Sequence, residues 1–205
     1  MTAAALALAP RIDLSPADPA PPPLAVVALP SIERDRAATL LLRGAHRLDQ
    51  LAREGALADP WPSGDGAGIR ARYVANCLRE LDTFLKGLLD HAAPSPFDTA
   101  RGHNVANRVH AVARQSDRAA TTTIVPADVA RLRALGRSRA CLWHCHGLVR
   151  RADQKSGAWM TAGWHAPASG ELRRYALGER LAPVGRDLVG VAHFYRQLAY
   201  KVAPA

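Results

Sequence analysis

Aromatic side chains make up only 5% of this 205-residue chain, and of its 27 lysines and arginines only three (Lys86, Lys155, Lys201) are lysine. With so few rings the core must be built from Leu, Val and Ala, a composition that favours closely packed helices over a thick sheet. Cysteine occurs three times (Cys77, Cys141, Cys145), an odd number without the spacing of a disulfide framework, which implies reduced thiols and a cytoplasmic setting. No window approaches eighteen consecutive apolar residues, so no membrane span is expected and no membrane partner. The apolar start "MTAAALALAP" has no basic residues before it, which argues against a secretory leader. The chain also lacks a GxxxxGK[ST] loop, a GxGxxG turn, a GxSxG elbow and an HExxH helix, and its acidic residues are too scattered to name a carboxylate pair.

What the chain does have is positive charge, a formal +9 at pH 7 with a pI near 10.3. A field of that sign attracts polyanions, so nucleic acid, DNA or RNA, is the first class of partner to consider, with an anionic membrane surface second on charge and a protein partner a further alternative. An arginine-rich, Ala-, Gly- and Pro-rich composition is also what a GC-rich genome produces, so charge alone does not settle the matter.

Residues 1–30 carry Pro16, Pro19 and Pro21 to Pro23, which forbid a helix and leave donors missing for a sheet, so a disordered Pro-rich arm is expected there. Residues 31–205 are then one domain, an all-α bundle of about five helices. The first helix starts at Ser31 as cap, with Glu33 and Asp35 in its first turn and Leu41, Ala45, Leu48 and Ala52 on one stripe. "ADPWPSGDGAG" is a loop. A second helix runs over 69–92 with Val74, Cys77, Leu78, Leu81, Leu85 and Leu88 inward, a third over 100–115, and a fourth opens at Pro126. Residues 153–170, with Trp159 and Trp164, form an irregular loop or a short hairpin, and a last helix runs from Val184 with Leu188, Val191, Phe194, Tyr195 and Leu198 inward.

The stretch "RLRALGRSRACLWHCHGLVRR", residues 131–151, holds six arginines, two cysteines and two histidines. On a helical wheel of residues 131–152 Leu135, Ser138, Cys141, Leu142, Cys145, Val149 and Ala152 share the core side. Both cysteines are therefore expected as small core residues. Cys141, His144 and Cys145 at i, i+3 and i+4 would need a fourth ligand such as His110 or His165 to hold zinc, so neither a metal nor any other cofactor is expected. His103 and His110, seven residues apart on the third helix, are expected on a solvated face. Trp143, opposite the core side, is expected to pack under the loop carrying Trp159 and Trp164.

Three functions fit this stretch. The first is nucleic-acid binding, with Arg133, Arg137, Arg139, Arg150 and Arg151 on phosphates; in its helix-turn-helix form Gly136 and Arg137 make the turn and Ser138 caps the recognition helix. The second is catalytic. Arg139-x4-His144, Arg139-x6-His146 and Arg137-x6-His144 resemble the R-x4-6-H motif of HEPN domains, which implies a metal-independent ribonuclease in which Arg139 with His146, or Arg137 with His144, acts on the scissile phosphate. On a regular helix seven steps bring two side chains to within about 20° of each other and five leave them about 140° apart, so the six-residue gaps suit this chemistry. The third is a helical protein-interaction module without chemistry.

Overall fold

Leu41, Ala45, Leu48 and Ala52 are all buried along one side of α1 (Leu29–Arg53), as their helical spacing requires. The computed structural model describes residues 29–54, 57, 65–92, 104–116, 124–167 and 169–203. These form α1, α2 (Asp65–Ala92), α3 (Val105–Ser116), α4 (Pro126–Cys145), strands β1 (Trp159–His165) and β2 (Leu172–Ala176), and α5 (Gly185–Val202). The protein is thus mostly helical, with a small antiparallel hairpin in addition to five helices among the described residues. α1 packs on α2 and α5, α4 lies against α2, α3 and β1, and one continuous apolar cluster joins them.

Several boundaries differ from expectation. The arm expected over 1–30 lies outside the described residues except for its last two, which open α1, so Ser31 is inside the helix and Glu33 and Asp35 fall after its first turn. α2 begins at Asp65, with Gly66 and Gly68 helical, and α3 begins at Val105, five residues after the expected start. His103 lies outside the described residues. α4 is capped by its own third residue: the Val125 N–H donates to Asp128 Oδ2 at 3.0 Å. α5 opens the same way, Val184 N–H donating to Asp187 Oδ2 at 3.0 Å. Each carboxylate also sits where the helix dipole favours a negative charge.

α4 runs unbroken through Gly136. The helix-turn-helix with a turn at Gly136 and Arg137 is therefore not what the chain forms, and Ser138 caps nothing. Ser138 is fully buried in mid-helix, its hydroxyl donating to Ala134 O at 3.0 Å and accepting the Gly163 N–H at 3.1 Å. One glycine costs about 1 kcal/mol in a helix interior, less than the packing of α4's apolar residues on both sides supplies. A Cβ placed at Gly136 would meet nothing within 4 Å. Gly136→Ala is accordingly expected to raise stability by about 0.5–1 kcal/mol in urea unfolding; a loss of stability would show that Gly136 is needed as a hinge.

The segment around Trp159 and Trp164 is the hairpin, with Met160 opposite Tyr175 and Trp159 opposite Ala176. Trp164 is buried and its indole N–H donates to Tyr175 Oη at 3.0 Å, while Trp159 stays exposed. A free strand edge invites pairing with another chain, but side chains and loop backbone cover the outer edge of β1. Asp153 accepts the Thr161 N–H at 3.1 Å and its backbone N–H reaches Trp159 O at 2.9 Å. Ser138 takes the Gly163 N–H, and Arg131 Nε donates to Gly163 O at 3.0 Å. The hairpin is thereby fixed to α4.

Candidate functional site

The functional stretch changes direction where α4 ends. His146 takes the left-handed conformation at φ 51° and Gly147 follows at φ 85°, with the Gly147 N–H returning to Cys141 O at 3.1 Å. This is the wrapped ending that satisfies the last helical carbonyls. A side chain at Gly147 would meet Leu181 O at 2.8 Å, so glycine is required by both space and φ. Residues 147–149 then pair with 178–181 through Leu181 N–H to Gly147 O at 2.7 Å, Val149 N–H to Glu179 O at 2.9 Å and Gly178 N–H to Val149 O at 2.8 Å. Arg150 and Arg151 therefore leave a clamped backbone beside α4's last turns, and do not continue the helical face on which the sequence placed them.

A hollow of about 500 Å³ results between α4, residues 150–152 and β1. Arg137, His144, Arg150 and Arg151 line it together with Ala140, Cys141, Cys145, Ala152 and Met160, so most of its wall is carbon and sulfur. A second hollow of about 570 Å³ adjoins it, sharing Arg137 and Ala140 and adding Arg133, Arg139, Asp82 and Asn104. Among the described residues Arg150 and Arg151 are exposed and carry no ion pair. Arg137 is held through Nε by Asp153 Oδ1 at 2.7 Å, and Asp153 is itself anchored on Thr161. Arg133 is exposed, with one guanidinium nitrogen 3.5 Å from Asn107 Oδ1.

Arg139 has a different place. Its guanidinium pairs with Asp82 of α2, whose other carboxylate oxygen accepts the Tyr195 O–H at 2.6 Å. Burial pushes the Asp82 carboxyl up from its usual range, while the Tyr195 hydroxyl and Arg139 pull against it. His146 instead lies over Gly68, near the start of α2. Fourteen residues separate Gly68 from Asp82, about 21 Å along a helix at 1.5 Å per residue, so Arg139 and His146 diverge and do not share a phosphate-sized site. Arg137 and His144 do face one hollow. Arg186 and His193, at the same spacing on α5, are exposed.

Of the two thiols expected in the core, Cys141 is there, while Cys145 is half-buried, packed against the core and lining the hollow. Cys141 is buried and donates to Leu148 O at 3.3 Å, and burial, with Cys145 nearby, pushes its thiol up to about 11. Among the described residues no three His, Cys, Asp or Glu side chains gather as a metal would require, and no helix is long and apolar enough to cross a membrane. Trp143 is not under the hairpin: it is 39% exposed on the α2 side, with the Arg79 guanidinium 5.6 Å from its ring centre. Sequence reasoning missed Asp153 and Met160, which bear on the hollow from the loop and hairpin, and nothing in their local pattern marks them; it placed Ala152 on the core side of a helix, whereas α4 ends at Cys145 and Ala152 lines the hollow half-buried. It also missed that Arg131 turns inward, donating to Gly163 O and Gly190 O and stacking on Phe194 at 4.5 Å. Comparison with protein-family models, curated proteins and solved structures finds no match for this chain.

Proposed function

We propose that this protein binds nucleic acid through Arg137, Arg150 and Arg151, with Arg133 extending the contact. What supports this best is that Arg150 and Arg151, exposed and without an acidic partner among the described residues, flank one hollow with Arg137. An arginine with no carboxylate beside it keeps its charge and donor fork for an outside anion, and a planar fork matches a phosphate. The net charge of +9 adds long-range attraction. Arg137 and Arg139 are each engaged by a carboxylate, Asp153 and Asp82; Arg137 is counted because it lines the hollow with Arg150 and Arg151, whereas Arg139 lines only the adjoining one. Anisotropy titration of a labelled oligonucleotide across salt tests the proposal: three phosphate contacts give a slope of about −2 to −3 in log Kobs against log salt concentration. A flat response removes it.

A metal-independent ribonuclease is the second reading, favoured by one observation, that Arg137 and His144 line the same hollow. A histidine moves protons near neutral pH and an arginine neutralises charge on a phosphorane. Cleavage of RNA in EDTA by the wild type, lost in His144→Ala, is its expected outcome. Equal cleavage by both, or none by either, eliminates it.

A further inference from the structure

We infer that the hollow beside α4 seats an unpaired base, so that the nucleic acid bound here is single-stranded; this rests on the nucleic-acid reading above. Its volume of about 500 Å³ falls within the roughly 300–1,000 Å³ of sites that enclose small molecules. Phosphate contact alone needs no such concavity. A duplex offers this wall only its convex rail of sugars and phosphates, leaving the carbon and sulfur of Ala140, Cys145, Ala152 and Met160 without a partner and the phosphates desolvated against them. An unstacked base supplies a flat apolar face for that wall, while its own phosphate stays at Arg150 and Arg151 outside.

The wall contains no aromatic ring, so the stacking surface differs from that of common single-strand readers. Guanidinium planes and thioether sulfur take the ring's part, both of which pack favourably on π faces. Arg137 is the guanidinium placed for this, since it lines both hollows and its Nε lies 2.7 Å from Asp153, which Thr161 anchors. Because the adjoining hollow shares Arg137 and Ala140 and is also lined by Arg133, a strand leaving the first hollow meets a second concave, arginine-bearing surface. Two such hollows side by side suit successive nucleotides of a flexible strand.

The test uses the full chain and three probes of equal length: a single-stranded oligonucleotide, the same strand with abasic sugars in place of its bases, and the blunt duplex. The wild type is expected to bind the intact strand roughly tenfold more tightly than the abasic strand, the size of one base stacked on protein, and more tightly than the duplex. Ala140→Phe places a ring in the hollow from an exposed helical position; its circular dichroism reports folding, and it is expected to bind intact and abasic strands alike. Equal, salt-sensitive binding of all three probes by the wild type overturns the inference and leaves the arginine contacts standing. Binding of none overturns both. If Ala140→Phe keeps the tenfold preference, the base sits elsewhere and the inference is again overturned.

Discussion

Gly163→Ala is expected to destabilise the protein by about 3 kcal/mol, at the upper end for overpacking a core, and to lower Tm by roughly 10 °C for a domain of this size. A Cβ at this position would lie 2.3 Å from the Leu135 side chain and 2.9 Å from its Cα. Leu135 can give way at its side chain but not at its backbone. Nor can β1 back away, because Ser138 binds the Gly163 N–H and Arg131 the Gly163 carbonyl. Any shift that admits the methyl group stretches those bonds, and the buried Ser138 hydroxyl and Arg131 then lose partners. Since β1 also carries Met160 into the hollow, binding should weaken along with stability. A thermal melt within a degree or two of wild type would show that α4 and β1 are packed less tightly than this.

The second large effect is expected at Asp82. Asp82→Ala leaves the Tyr195 hydroxyl, fully buried, without its acceptor, and should cost about 2–3 kcal/mol, since an orphaned buried donor loses its full desolvation energy. Arg139 is 36% exposed and can turn to water, so its loss of a partner adds little. Tyr195→Phe combined with Asp82→Ala removes both ends of the bond and should cost at least 1 kcal/mol less than the sum of the two single changes in urea unfolding. Strict additivity would mean the two groups do not interact. Arg139→Gln should also destabilise, by removing a charge that favours the Asp82 carboxylate. A fall in nucleic-acid affinity in an Arg139 variant therefore mixes stability with contact, which makes Arg150 and Arg151 the better positions to probe.

Much of the helical framework is legible in the sequence, because the apolar period of Val74, Leu78, Leu81, Leu85 and Leu88 and the Val184 start of α5 are local signals. Gly136 misleads because an intrinsic preference of about 1 kcal/mol is a weak prior against tertiary packing on both sides. The end of α4 misleads for another reason: Val149 is apolar and buried in the core cluster, as a wheel predicts, but it sits on a non-helical segment whose backbone pairs with Glu179. The site is legible only in part. Arg137, His144, Arg150 and Arg151 are visible as a basic stretch, whereas their division into paired and unpaired groups depends on Asp82 and Asp153, and the wall on Met160. Asp82 lies 57 residues from Arg139 in sequence, and no local pattern reports such a contact.

The most direct test is the salt dependence of single-strand binding by the Arg150→Gln/Arg151→Gln double variant beside the wild type. Neither arginine has an ion pair among the described residues, so the variant should melt like the wild type. Its slope should be shallower by about 1.4, the contribution of two phosphates on a single strand. An unchanged slope at unchanged affinity would contradict the account, because the two guanidinium groups would then carry none of the binding assigned to them.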